Sequence, residues 1–214
     1  MSAKFRSEDE EDLIRLKKML RKVLGDDEAQ VRRRLESRDE TRILDIACGE
    51  CREAEVLTDF IADLRGNKDG EVRLTGMDVR AREIEDAQRR FGGKRDLANC
   101  PGTRECEFLT GDASKLDQHA ELGENFDFVF MRHQNYWNGA KTWEEIYDQA
   151  LGKLDDEGRL IITSYFDKEH ELALEAIKRL GGELISSEFN SETRELITEG
   201  KSVDRHVAIF KRKK

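Results

Sequence analysis

The chain has one proline, four cysteines and four histidines in 214 residues, and no apolar stretch approaching membrane-spanning length. A helix that crosses a bilayer needs about 20 consecutive apolar residues, so no transmembrane segment is expected. The cysteines, Cys48, Cys51, Cys100 and Cys106, are too unevenly spaced to frame a disulfide-stapled secreted domain in a chain this long. The opening stretch MSAKFRSEDE lacks the apolar core of a secretion signal, and a cytoplasmic protein is the expectation. Basic charge is also in short supply. Thirty-eight Lys and Arg stand against 47 Asp and Glu, a net charge of −9 that disfavours tracking a nucleic-acid backbone. The run Lys211–Lys214 is expected to be a solvated tail. Arg32-Arg33-Arg34, set among Glu28, Glu36, Asp39 and Glu40, is expected to be a solvated helix face.

What remains is a chain that is 40% charged and 37% hydrophobic, whose core must come from a few compact apolar runs. Residues 8 to 37 read as two helices: Ser7 with Glu10 resembles a capping box, and Leu13, Leu16, Leu20, Val23 and Leu24 share one helical face. Gly25 stops the first helix, and Asp26-Asp27 starts a second that carries Val31 and Leu35. From Thr41 onward, strands alternate with helices. The strands are 41–46, 72–78, 105–109, 126–131 and 159–165, with a loop between Gly92-Gly93 and Pro101-Gly102. Two more strands, near 184–189 and 203–210, lie too close together for a crossover helix, so the last is expected to be antiparallel to its neighbour. The pattern predicts a doubly wound, Rossmann-like α/β sheet of seven strands, its last strand antiparallel and helices on both faces. Residues 1–40 form helices that pack on or cap this domain, and 41–214 form the domain itself.

In such a sheet, ligands bind beyond the carboxyl ends of the strands, where strand order reverses. There the sequence supplies Asp45-Ile46-Ala47-Cys48-Gly49-Glu50-Cys51, then Asp78-Val79, then Gly111-Asp112-Ala113, then Arg132-His133. Small residues in the first turn let a ligand approach the backbone, and the helix that follows offers free N–H donors. Tyr136, Trp137 and Trp143 follow the fourth strand; Trp143 lies on an apolar stripe and reads as packing, while Trp137 is equally suited to packing or to a ligand wall.

This set resembles the class I S-adenosylmethionine-dependent methyltransferases, over most of the chain from Thr41 to Phe210. The resemblance implies methyl transfer from S-adenosylmethionine. It sets the Ala47, Cys48, Gly49 and Cys51 backbone against the cofactor's amino-acid and ribose portions, with Asp45 orienting the turn or the amino group. Asp78, beside Val79, would take the ribose hydroxyls, Asp112 and Ala113 the adenine, and Arg132 and His133 the methionine end. His133 is the nearest candidate for a general base, since an unperturbed histidine titrates near pH 6.5. Cys51 departs from the pattern, because the family usually has its last turn glycine there.

Rival readings rest on single features. Cys48-Gly49-Glu50-Cys51 is a C-x-x-C between strand and helix, as in thiol redox proteins, yet such a protein has no use for the carboxylates, and only Pro101 is present to serve as its cis-proline. Zinc would need Cys100 and Cys106 to join that pair, at a spacing unlike a zinc half-site, and no metal is expected. A nicotinamide dinucleotide enzyme would need G-x-G-x-x-G, where Gly49 stands alone. A non-catalytic S-adenosylmethionine-binding protein is the remaining alternative. The Asn-Pro-Pro-aromatic motif of nucleic-acid base methyltransferases is absent after the fourth strand, which points to a small-molecule acceptor and away from nucleic acid.

Overall fold

Eight strands form one sheet in the computed structural model, which describes residues 7–66, 69–98 and 100–213. The strands are β1 (Glu40–Ile46), β2 (Glu71–Asp78), β3 (Gly93–Asp96), β4 (Thr103–Thr110), β5 (Phe126–Met131), β6 (Leu154–Ser164), β7 (Gly182–Phe189) and β8 (His206–Arg212). Their order is β3-β4-β2-β1-β5-β6-β8-β7. Strands β4, β2, β1, β5 and β6 are parallel, whereas β8 runs antiparallel to both β6 and β7. The doubly wound α/β sheet with its antiparallel last strand is thus present.

One strand was not legible. The stretch 93–96 reads as loop, but it pairs antiparallel with 103–106 as a hairpin at the sheet edge. All four residues are exposed and two are Lys94 and Arg95, so no apolar alternation marks them. A short charged strand is also what keeps an edge from pairing with other chains. The last strand starts three residues late, because Asp204 adopts a left-handed φ of 47° that ends extended pairing.

Among the described residues, six α-helices cover the faces: α1 (Glu8–Leu24), α2 (Glu28–Glu36), α3 (Ala54–Leu64), α4 (Ala81–Phe91), α5 (Ala140–Lys153) and α6 (Asp167–Arg179). Side chains alternate along each strand. Ile43, Leu74, Phe128 and Phe130 therefore join the layer of α1–α4, while Leu44, Ile46, Val129 and Met131 join that of α5 and α6. Helix α1 begins in the capping box, with the Ser7 N–H donating to Glu10 and the Glu10 N–H to Ser7 Oγ. Its buried stripe Leu16, Met19, Leu20, Val23 and Leu24 faces α3, β7 and β8.

Arg34 corrects the expectation of a solvated basic face. Arg33 is exposed, but Arg34 turns inward to Asp127 on β5 (2.5 Å), whose carboxylate is fully buried. Arg38 joins it at 2.9 Å, and the Arg42 N–H donates to the other carboxylate oxygen. On the same side, buried Arg159 pairs doubly with Asp27 at 2.7 and 2.9 Å. Asp127→Ala would take from Arg34 and Arg38 their fully buried acid partner and leave both to share the more exposed Asp155. We expect a loss of about 3–5 kcal/mol in urea unfolding, the range for breaking a buried pair from one side. A variant as stable as the parent contradicts this.

The basic terminal run is likewise not a free tail. Lys211 and Arg212 belong to β8 and pair with Glu183 (3.2 Å) and Asp156 (2.8 Å). Lys214, and residues 1–6 of the stretch read for a secretion signal, lie outside the described residues. Among the described residues, no helix is long and apolar enough to cross a membrane.

Candidate functional site

Strand order reverses between β1 and β5, which flank each other in register with Ile46 opposite Met131 and Met77. Everything just past those three residues therefore meets at one rim. The first segment there is the turn 47–51. Ala47, Gly49 and Cys51 take φ of 56°, 56° and 45°, so alternate residues are left-handed. Only glycine adopts that conformation without cost, and alanine or cysteine there is strained by about 1–2 kcal/mol each. The turn is held by the Cys48 N–H donating to Met77 O (3.1 Å) and the Gly49 N–H to Asp78 Oδ2 (2.9 Å).

Cys51 occupies its unusual position with the side chain fully buried, its thiol donating to Asp45 Oδ2 at 3.1 Å. Asp45 thus lies beneath the turn and holds it from below. Its other oxygen, Oδ1, is buried without a hydrogen-bond partner. Burial, then repulsion from Glu53, push the Asp45 carboxyl well above the ordinary carboxylate range.

Asp78, buried at the end of β2, accepts from the Arg80 N–H and Nε–H on Oδ1 (both 2.9 Å) and from Arg80 Nη2 on Oδ2 (3.1 Å). Burial opposes its charge, but the Arg80 and Gly49 donors outweigh it and hold its pKa below the usual value. Asp112 begins the short 3₁₀ segment 113–118 and accepts from the Ser114 N–H (3.0 Å) and hydroxyl (2.8 Å). Those bonds lower its pKa.

After β5, Arg132 is nearly enclosed. Its Nε and Nη2 donate to the two oxygens of Asp204 at 3.0 and 2.6 Å, and Nη1 lies 3.5 Å from Glu53. Burial works against this guanidinium, yet the two carboxylates raise its pKa above the ordinary arginine value. Asp204 is buried too, but Arg132 and then His133 keep its carboxyl far below the usual range. His133, at φ 59°, stacks on Tyr165 with ring centroids 3.8 Å apart. Its Nε2 lies 2.9 Å from Asp204 Oδ1 and 3.1 Å from the Asp204 amide nitrogen. One ring nitrogen cannot both donate to the carboxylate and accept from the amide. The Asp204 N–H has the hydrogen-bond geometry, so Nε2 is the acceptor and in the neutral ring the proton lies on Nδ1.

Two clefts open on this rim and share Ala47. One, about 360 Å³, is lined by the turn, Glu53, Arg80, Arg132, His133 and Tyr165. The other, about 270 Å³, is lined by Asp78, Val79, Asp112, Ala113 and Trp143 among others. A third cleft of about 260 Å³ adjoins the first, sharing Arg52, Arg132, His133 and Tyr165, and is closed by Asp9, Asp12 and Leu13 of α1 and by Arg194, Leu196 and Val203. A larger depression of about 500 Å³ lies beside the end of α5, where Lys153 and Arg212 line it, away from all the motif residues.

The candidates from sequence therefore converge. Ala47, Cys48, Gly49, Cys51, Arg132 and His133 line the first cleft, and Asp78, Val79, Asp112 and Ala113 the second. Asp45 alone is set behind the wall. Trp143 packs partly on the α5 core and lines the second cleft, while Trp137 is about half exposed. Glu53, Arg80, Tyr165 and Asp204 were not anticipated. Arg80 follows Asp78 closely enough to have been suspected; Asp204 comes from 72 residues beyond Arg132 and carries no local signal.

The thiols do not suit redox chemistry, which needs an accessible thiolate. Burial, foremost for Cys51 and Cys106, pushes all four cysteines up, Cys106 to about 11. Among the described residues, no group of three or more His, Cys, Asp or Glu side chains is placed to hold a metal ion.

A family model described as a methyltransferase domain matches residues 37–208. No curated protein matches the sequence. Solved structures do match by shape. A TehB-like S-adenosylmethionine-dependent methyltransferase from Corynebacterium glutamicum is 20% identical, with 86% of this chain and 88% of that one covered at a TM-score of 0.52. The N-methyltransferase NodS from Bradyrhizobium japonicum is 16% identical over 89% and 96%, TM-score 0.54. An S-adenosylmethionine-dependent methyltransferase from Methanosarcina mazei is 18% identical over 83% and 95%, TM-score 0.57. At such identities the structures speak for the fold alone, and the family model, which spans most of the sequence, speaks for kinship: the chain belongs to the methyltransferase-domain family and has the class I S-adenosylmethionine-dependent methyltransferase fold.

Proposed function

We propose that the protein transfers a methyl group from S-adenosylmethionine to a small-molecule acceptor. The observation that carries this reading is the charge balance under the turn. Three buried carboxylates, Asp45, Glu53 and Asp204, face one nearly enclosed guanidinium, Arg132, and Asp45 Oδ1 has no donor at all. A buried acid without a partner is costly. A ligand bearing an ammonium and a sulfonium supplies the missing positive charge, and its carboxylate has Arg132 and the N-terminus of α3 within the same cleft.

When bound, the cofactor supplies a methyl group already activated on sulfur. The chain's part is then to bind and align. Asp78 accepts from the ribose hydroxyls, with Ala47, Cys48, Gly49 and Cys51 giving the backbone against which the amino-acid portion lies. Val79, Asp112 and Ala113 border the adenine, and Arg132 and His133 close the methionine end. Alignment of a nucleophile in such a site contributes up to roughly 7–11 kcal/mol. If the acceptor releases a proton, His133, which lines the first cleft beside Asp204, is the base that takes it. The third cleft is the acceptor's place, and residues 1–40 act as its cap over the domain 41–214, because Asp9, Asp12 and Leu13 form one wall.

The test is release of S-adenosylhomocysteine in the presence of small-molecule amines, alcohols, thiols and carboxylates. Turnover with at least one acceptor supports transfer, and binding without turnover on any class would leave a cofactor-binding protein instead. A second expected result concerns protons. Asp45 has a raised pKa, so in the free protein its proton is retained above the ordinary carboxylate value of about 3.9. Its contribution to stability is full below that value and is lost as pH rises through the raised pKa. A cationic ligand favours the ionised form, so binding is expected to release protons and to strengthen as pH rises across this window. Calorimetry in buffers of different ionisation enthalpy reads the release directly; zero release or uptake contradicts the assignment.

A further inference from the structure

Asp78 has no acceptor position to spare. A carboxylate offers about four lone-pair sites. Oδ1 is taken by the Arg80 N–H and Nε–H and Oδ2 by the Gly49 N–H and Arg80 Nη2, all within 2.9–3.1 Å. Two of these four bonds are backbone and fixed, and two come from one side chain. The same guanidinium, with Glu83, roofs the turn: a Cβ built on Gly49 would lie 3.0 Å from Arg80 Nη2 and 2.9 Å from Glu83 Oε2. The strip of backbone and the carboxylate that a ribose would need are thus both covered by Arg80.

The cover is built to move. The Arg80 side chain is 57% exposed, and its Nη1 already pairs with Glu83 at 2.7 Å, one helical turn along α4. If it swings outward it keeps that second acid. Each oxygen of Asp78 then keeps its backbone donor and regains one free lone pair, two in all, which matches the two hydroxyls of a ribose.

We infer that Arg80 is an internal competitor for the ribose diol, a residue that sets cofactor affinity by occupying Asp78 until the nucleoside displaces it. This rests on the reading of Asp78 as the ribose ligand. Two consequences follow from competition for one carboxylate. Removing the Arg80 side chain tightens nucleoside binding instead of weakening it, and the gain requires Asp78.

The experiment is calorimetric titration of S-adenosylhomocysteine into the parent, Arg80→Ala, Arg82→Ala, Asp78→Ala and the double variant Asp78→Ala/Arg80→Ala. Arg82 is exposed on the same helix and controls for the loss of one positive charge near the cleft. Arg80→Ala is expected to bind roughly 3- to 10-fold tighter, between the worth of an exposed ion pair and that of charge-assisted hydrogen bonds. Arg82→Ala should match the parent, and Arg80→Ala should change nothing once Asp78 is gone. Unchanged or weaker binding by Arg80→Ala overturns the inference while leaving the cofactor reading intact. So does an equal gain from Arg82→Ala, which would mark a general charge effect. Failure of the parent and every folded variant to bind overturns both.

Discussion

Replacing Asp78 by alanine is expected to weaken S-adenosylhomocysteine binding by about 10- to 150-fold, the equivalent of one charged acceptor's hydrogen bonds at roughly 1.5–3 kcal/mol. The effect should fall on binding and spare the fold. Among the described residues, the Asp78 carboxylate bonds to Arg80, whose side chain is largely exposed, and to the Gly49 N–H, which would then face the cleft and its water. Asp78→Asn separates charge from geometry: it keeps the shape but replaces one acceptor oxygen with a donor that faces hydroxyls or N–H groups, so it should bind nearly as poorly as alanine. Unchanged affinity in a folded variant removes Asp78 from the site.

The second large effect is expected at Asp204. Its carboxylate collects the Arg132 guanidinium, His133 Nε2 and the Thr163 hydroxyl (2.8 Å), all within the protein interior. Asparagine is the informative substitution, because Asp204 sits at φ 47° and asparagine tolerates that conformation where alanine is strained. Asp204→Asn keeps one acceptor oxygen but removes the charge, leaving the more distant Glu53 as the acid paired with Arg132, and about 3 kcal/mol should be lost in urea unfolding. The pH dependence gives a separate signature. Asp204 has a depressed pKa in the folded protein, so its contribution is present above the unfolded carboxylate value of about 3.9 and is lost as pH falls toward the folded one. The variant should therefore show a shallower loss of stability below pH 4 than the parent. Parallel acid limbs would mean that Asp204 is not the buried anion described.

How much of this was legible in the sequence depends on range. Strand ends followed by Asp78, Asp112 and Arg132 could be found because apolar runs and their terminators are local, and parallel strands in register bring such ends together without further information. The hairpin strand 93–96 could not, since its pairing is set by the neighbouring β4 and its own residues are all exposed. The inward turn of Arg34 was hidden for a similar reason: three consecutive arginines look alike until Asp127, 93 residues away, selects one of them. Asp204 was missed because a single left-handed residue between two strands leaves no periodic trace. Cys51 was noticed as a departure from the family's glycine, but its bond to Asp45 depends on a buried contact that spacing alone does not give.

The rim of the sheet sets buried acid beneath a cleft suited to a cation, with Asp78 free to accept from a sugar once the Arg80 side chain gives way. Titration of the intact protein with S-adenosylmethionine, followed in two buffers that differ in ionisation enthalpy, tests both at once. Saturable one-to-one binding accompanied by proton release is the predicted result. A folded protein that gives no binding heat in either buffer and no thermal shift with the ligand would contradict the account and leave only the fold.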